Sequence, residues 1–176
     1  MIVLRLRYID GARNLIEEHP HLVIDKQDNE KLYYEDMFEK AQPIHIEIGI
    51  GKGRFIHTLA KQFPNINFIG IEKFDSVIVR ALEKSIDEPL PNLKLLRVDA
   101  GAIPIILKDH TVERVYLNFP DPWPKERHQK RRLTNRRFLK IYEDLLTENG
   151  EIHMKTDNKT LFDYSLEEIM FYDMEL

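Results

Sequence analysis

The chain contains no cysteine. That absence excludes disulfides, thiolate-ligated zinc and thiol nucleophiles, and it fits a reducing cytosol, so a cytoplasmic location is expected. Long hydrophobic runs are missing too: none approaches the length of a membrane span, and no membrane partner is expected. The N-terminal MIVLRLRYIDGAR has too short an apolar stretch and no small-residue cleavage site, so it does not read as a signal peptide. The seven histidines are scattered. His19 and His21 flank a proline with no third ligand nearby, and no metal site is expected. Repeats and low-complexity segments are also lacking. What remains is 176 residues, 43% hydrophobic and 32% charged, the composition of one soluble domain with a real core.

Against a net charge of −4, one segment stands apart. Asn118 to Lys140 reads NFPDPWPKERHQKRRLTNRRFLK. Prolines 120, 122 and 124 fix their own φ and are expected to hold Phe119, Asp121 and Trp123 extended. From Lys125 to Lys140 there are eight Lys or Arg and one acid, Glu126. The segment reads as a rigid acidic site set against a clamp for a polyanion.

The rest of the chain punctuates into alternating elements. Short helices are expected over 10–18 and 30–40. Strands are expected at Ile44–Ile48, Asn67–Ile71, Leu93–Val98, Val112–Leu117 and Glu151–Thr156. Helices fall between them: one around Phe55–Phe63; one capped by Asp75 and reaching Asp87; one capped by Thr134, striped by Phe138, Ile141, Tyr142, Leu145 and Leu146 and ended by Gly150; and a last over Lys159–Phe171. Such alternation predicts an α/β fold, a mostly parallel sheet with helices on both faces, in a single domain 1–176. Residues 1–42 form a helical arm in this reading and 43–176 the core.

Ligands of such sheets bind beyond the carboxyl ends of the strands, where four acids fall: Glu47, Glu72, Asp99 and Asp121. After Glu47 comes a glycine turn with Gly49, Gly51 and Gly53, where a ligand can lie against backbone. The spacing is G-x-G-x-G, and Arg54 stands where a dinucleotide site wants its third glycine. An acid beneath the turn suits a ligand with hydroxyls and a positive centre better than a pyrophosphate. S-adenosyl-L-methionine has both. Glu72 is placed for its ribose hydroxyls and Asp99 for its adenine amino group.

IEIGIGKGRF, GIEK, NFPDPWPKERHQKRR and KTDN, in this order, resemble the bacterial tRNA (guanine-N7-)-methyltransferases, from about Arg5 to the last residue. The PDPWPKERHQKRR string is the most specific part. The resemblance implies a Rossmann-like class I methyltransferase that uses S-adenosyl-L-methionine to methylate N7 of the variable-loop guanine, nucleotide 46 of tRNA. By the same resemblance Glu47, Glu72 and Asp99 bind the cofactor, and Asp121 contacts it as the active-site residue. Lys125 and Asp157 bind substrate, and the segment Arg127, His128, Lys130, Arg131 and Arg132 contacts RNA. Family members continue beyond the position of Leu176 with a Thr-x-Tyr-Glu motif, so the last strands of the sheet and part of the substrate wall are expected to be missing. A homodimer is held open.

The chemistry of guanine N7, a lone pair with no proton at neutral pH, removes the need for a general base. Asp121 is therefore expected to orient the base, and Trp123 is open between a wall for that base and core packing. Phe119 is read as core. Arg136, Arg137 and Lys140 are open between an RNA contact and the wet face of a helix. Arg5, Arg7 and Arg13 form a weaker basic cluster. Alternative readings are methylation of an exocyclic amine, a non-enzymatic RNA-binding protein, and a nicotinamide oxidoreductase, which Arg54 disfavours.

Overall fold

A computed structural model describes residues 9–25, 32–172 and 174–175. In chain order the strands are β1 (Val23–Ile24), β2 (Ile44–Ile48), β3 (Asn67–Glu72), β4 (Leu93–Arg97), β5 (Val112–Asn118) and β6 (Leu146–Lys155). The helices are α1 (Ala12–Glu18), α2 (Tyr34–Met37), α3 (Arg54–Gln62), α4 (Asp75–Asp87), α5 (Ile103–Ile106), α6 (Arg136–Leu145) and α7 (Lys159–Phe171). Glu126–Arg131, inside the basic run, forms a 3-10 turn.

The strands form a six-stranded sheet in the order β1-β4-β3-β2-β5-β6, with every pair parallel. β2 lies at its centre and all five of its residues are buried, as expected of a strand covered on both faces. Its two faces divide the core. Ile44, Ile46 and Ile48 join Ile69, Ile71, Phe138, Tyr142 and Leu145 on the face covered by α5 and α6. On the other face Phe68 and Leu95 pack under Ile16, Ile56, Ile78 and Leu82 from α1, α3 and α4.

From β2 the chain winds through β3 to β4 on one side, then returns across β2 to lay down β5 on the other. Loops leaving β2 and β5 diverge at this reversal and open a crevice past Ile48 and Asn118, the position where parallel sheets hold ligands.

Several boundaries differ from expectation. The arm supplies a strand as well as helix: Val23–Ile24 pairs with β4. Ion pairs pin it there, with Arg97 of β4 reaching Asp25 at 2.6 Å and Asp75 at 2.9 Å, and Arg13 reaching Asp25 at 2.8 Å. Arg13 is thus a structural tie and not a free basic residue. Arg5 and Arg7, like residues 26–31 within or beside the expected second helix, lie outside the described residues. Asp75 is the first residue of α4 and not its cap, because its carboxylate is turned to Arg97. Asn135, not Thr134, caps α6 by accepting from the Arg137 N–H, while Thr134 is buried in a hydroxyl pair with Ser165 at 2.7 Å. β6 begins at Leu146, five residues before the expected Glu151, and a register shift opposite Val112–Arg114 absorbs Gly150.

Among the described residues no helix is long and apolar enough to cross a membrane, and no group of three His, Asp or Glu is placed to hold a metal ion.

Candidate active site

The crevice is an open cleft of about 790 Å³, within the range of small-molecule sites. Ile48 and Gly49 form its floor. Glu72, Lys73, Phe74 and Val77 stand on one side with Val98, Asp99 and Ala100. Phe119, Pro120, Asp121 and Trp123 stand on the other, with Lys130, Arg131 and Arg137 along the lip.

The glycine turn is shaped by its backbone. Gly49 and Gly51 have φ of 78° and 55°, a region that side chains rarely occupy. A Cβ at either would meet no protein atom within 4 Å, so the space above them is free for a ligand. Gly53 serves packing instead: its Cβ would lie 2.6 Å from the Cβ of Ala81, so this glycine lets α3 begin against α4.

Glu47 lies beneath the cleft and not on its wall. It is 2% exposed. Its Oε1 accepts from Asn118 Nδ2 at 2.9 Å, while Oε2 has no hydrogen-bond partner among the described residues. Burial pushes its carboxyl up to about 7, and the hydrogen bond from Asn118 offsets only part of that. A buried carboxylate with an unpartnered oxygen is what a cationic ligand group would satisfy.

Glu72 ends β3 as expected, and Asp99 lies two residues past the end of the adjacent β4, where it caps a 3-10 turn. Glu72 Oε1 accepts from the Lys73 and Phe74 amides at 2.9 and 3.2 Å, yet burial still raises its pKa. Asp99 Oδ1 accepts from the Gly101 amide at 2.9 Å, and Oδ2 from Lys73 Nζ at 3.2 Å. Burial pushes Asp99 up, but Gly101, Lys73 and Arg137 together hold it below the usual carboxylate range.

Asp121 is exposed on the cleft wall. Its neighbours are not extended as the proline rule suggested. Phe119 and Trp123 have φ of 49° and 42°. A following proline removes the right-handed helical region, and tertiary bonds select the left-handed one here. The Phe119 N–H donates to Lys155 O at 2.7 Å, and the Trp123 carbonyl is gripped by Arg132. Each such residue stores about 1–3 kcal/mol, of the kind that persists where the surroundings over-determine the backbone. Phe119 is also not a core residue: it is 64% exposed and faces the cleft.

The basic run divides. Lys130 and Arg131 are exposed on the lip, with the Arg131 guanidinium 4.9 Å from the Trp123 ring centroid. Lys125 and Arg127 are exposed beyond the cleft lining, and His128 stands edge-on to Trp123 at 5.8 Å. His128 titrates below its ordinary range, through desolvation and then through Arg131, Arg127 and Lys125. Arg132 corrects the expectation of an RNA contact. It is 4% exposed and spends its donors on the Pro122 and Trp123 carbonyls. Asp157 follows β6, exposed, and does not line the cleft.

Arg136 and Lys140 are engaged, with Glu168 and with Glu143 and Asp144 respectively. Arg137 of the same group turns to the cleft. Lys73 and Asn118 are the site residues that sequence reasoning passed over, and Arg137, left open between an RNA contact and a wet helix face, borders the cleft. Asn118 opens the proline motif and Lys73 follows a strand-end acid, so both carried a positional signal. Arg137 had none beyond its charge.

A family model described as "Putative methyltransferase" matches residues 41–175. Solved structures similar to the chain include the aminoglycoside-resistance methyltransferase NpmB1, at 21% identity, covering 81% of this chain and 69% of that one with a TM-score of 0.58. Another is the 30S ribosomal A1408 methyltransferase from an uncultured bacterium, at 15% identity, 82% and 76% coverage and a TM-score of 0.59. A third is phosphoethanolamine N-methyltransferase 2 of Haemonchus contortus in complex with S-adenosyl-L-methionine, at 14% identity, 78% and 30% coverage and a TM-score of 0.53. The chain spans 60% of the chain of Kmr, a further antibiotic-resistance methyltransferase. At these identities the likeness establishes a fold, the Rossmann-like α/β fold of class I methyltransferases.

Proposed function

The chain belongs to the methyltransferase family whose model spans residues 41–175, with S-adenosyl-L-methionine as cofactor, and from that premise we propose that it methylates N7 of the variable-loop guanine of tRNA. The observation that carries the reading is one cleft with two linings. Glu72 and Asp99 border it at the sheet, Lys130 and Arg131 at the lip, and Asp121 stands between them on a strained loop. The string from Pro120 to Arg132 narrows the reading to guanine N7 by its resemblance to the tRNA (guanine-N7-)-methyltransferases.

The residues present fit the cofactor. The open space over Gly49 and Gly51 admits it against backbone. Glu72 would accept from its ribose hydroxyls, Asp99 from its adenine amino group, and the unpartnered oxygen of Glu47 would answer its ammonium, directly or through water. Bound there, S-adenosyl-L-methionine supplies an electrophilic methyl group.

The protein's own residues do the rest by placement. N7 of guanine carries a free lone pair, so no side chain needs to take a proton from it. Asp121 orients the base by accepting from its N1–H and amino edge, and its carboxylate compensates the positive charge that the base acquires. Phe119 and Trp123 give a displaced base an apolar wall, needed because N7 lies in a groove that side chains reach poorly. Lys130 and Arg131 hold phosphates at the lip.

The test is transfer of labelled methyl to unmodified tRNA and, separately, to 30S subunits, followed by nucleoside mass spectrometry. The expected product is 7-methylguanosine at nucleotide 46 of tRNA. Methyladenosine in ribosomal RNA with unlabelled tRNA would overturn the substrate. N2-methylguanosine would overturn the position.

A further inference from the structure

Arg132 belongs to the basic run by sequence and to the interior by structure. Its Nε donates to Pro122 O at 3.0 Å and its Nη2 to Trp123 O at 3.1 Å. The guanidinium lies 4.2 Å from the ring centroid of Tyr164 in α7. Among the described residues it forms no salt bridge. Glu168 acts on it only through space while bonding to Arg136. A cation taken out of water without a carboxylate is costly to the fold. What it holds in return is the two carbonyls that directly follow Asp121, one of them on the left-handed Trp123.

We propose that Arg132 is a positioning residue: its planar fork spans the Pro122 and Trp123 carbonyls, keeps the loop in its strained turn, and thereby fixes the Asp121 carboxylate over the cleft. The fork matters because a lysine ammonium is a point donor on a flexible stem and cannot hold two successive carbonyls in one plane. Tyr164 completes the seat. Its ring faces the guanidinium, and its hydroxyl is anchored by Asn135 Nδ2 at 2.7 Å, so α6 and α7 both set where the fork lies. The basic run thus does two jobs. Exposed cations meet the polyanion, while the buried one shapes the acidic loop beside them. The inference rests on Asp121 being the residue that meets the base.

Trp123 is the only tryptophan of the chain, so its fluorescence reports on this loop alone. The experiment compares Arg132→Lys with Asp121→Asn and Arg127→Gln. Four quantities are read: acrylamide quenching of Trp123, calorimetric affinity for S-adenosyl-L-methionine, kcat and KM on tRNA, and the salt dependence of tRNA binding. Arg132→Lys is expected to make Trp123 more quenchable and to lower kcat by roughly tenfold to a hundredfold, the cost of a misplaced group. Cofactor affinity and KM should stay within about threefold, the signature of an interaction made only in the transition state. Its salt slope should match that of the native chain, whereas Arg127→Gln should reduce the slope by about 0.7–0.9 and leave Trp123 unchanged.

Native quenching together with native kcat in Arg132→Lys overturns the proposal. So does a salt slope reduced as in Arg127→Gln, which would make Arg132 a phosphate contact. If Arg132→Lys loses its cooperative melt, Tyr164→Leu replaces it. That change removes the seat and keeps the fork; the same shifts, smaller, are expected, and their absence counts against the proposal. Full activity in Asp121→Asn would defeat the reading of Asp121 itself, while the Trp123 readout would still decide whether Arg132 holds the loop.

Discussion

Replacing Glu47 with glutamine removes an ionisable group from beneath the cleft and leaves its shape. In the folded chain the carboxyl titrates at about 7, against an ordinary value of 4.5, because it is buried with one oxygen unpartnered. Its pKa is raised on folding, so between these values the folded state binds the extra proton. Stability is fully present below about 4.5 and declines as pH rises through 7. Each pKa unit corresponds to about 1.4 kcal/mol, so the total decline is on the order of 3 kcal/mol. The assay is urea denaturation of both chains from pH 4 to 8.5. The Glu47→Gln chain, which has no such proton, should gain about 3 kcal/mol relative to the native chain across that range. Cofactor binding gives the converse. A ligand ammonium favours ionised Glu47, so the native chain should release a proton on binding near pH 6.5, seen as buffer-dependent calorimetric heat, and Glu47→Gln should not. A constant difference in stability across the pH range, or equal proton release in both chains, would refute the assignment of a raised pKa to Glu47.

Further outcomes follow from the same geometry. Asp121→Asn should lower kcat/KM on tRNA by about a hundredfold with S-adenosyl-L-methionine affinity unchanged, since one electrostatic contact at the reacting base is lost. Arg131→Glu should weaken tRNA binding and flatten its dependence on salt, measured by filter binding over a salt series, without altering cofactor affinity; an unchanged slope would remove Arg131 from the interface. Gly53→Ala should cost about 2–4 kcal/mol in a denaturant melt, because its Cβ meets Ala81 at 2.6 Å and its φ is 69°. Ala81→Gly in the same chain should recover part of the contact share, less the roughly 1 kcal/mol that glycine costs inside α4, and leave the backbone share.

The sheet was legible because its strands are short apolar runs closed by glycine, proline or acid. Ile44–Ile48 and Asn67–Glu72 fell within a residue of expectation for that reason. Val23–Ile24 was not legible, since two residues show no periodicity and their place is set by pairing to β4 and by Arg97. α5, the four residues IPII, is likewise too short to carry a period. At the site, the acids at strand ends followed from chain order alone. The left-handed turns at Phe119 and Trp123 did not, because local proline rules exclude one region and tertiary bonds choose among the rest. The burial of Arg132 was hidden for a related reason: its neighbours in sequence are solvated cations, and what covers it is Tyr164, from a different helix.

The two left-handed residues beside Asp121 have a consequence for anyone seeking to improve this protein. They are where conformational stability has been given up, so they are where selection for stability alone will find easy gains. Glycine at 119 or 123 relieves the backbone at once, and a screen on melting temperature would favour it. Such a chain would keep the turn without its strain and lose the aromatic wall that Phe119 and Trp123 give the cleft. Robustness and activity here are rival uses of the same two positions.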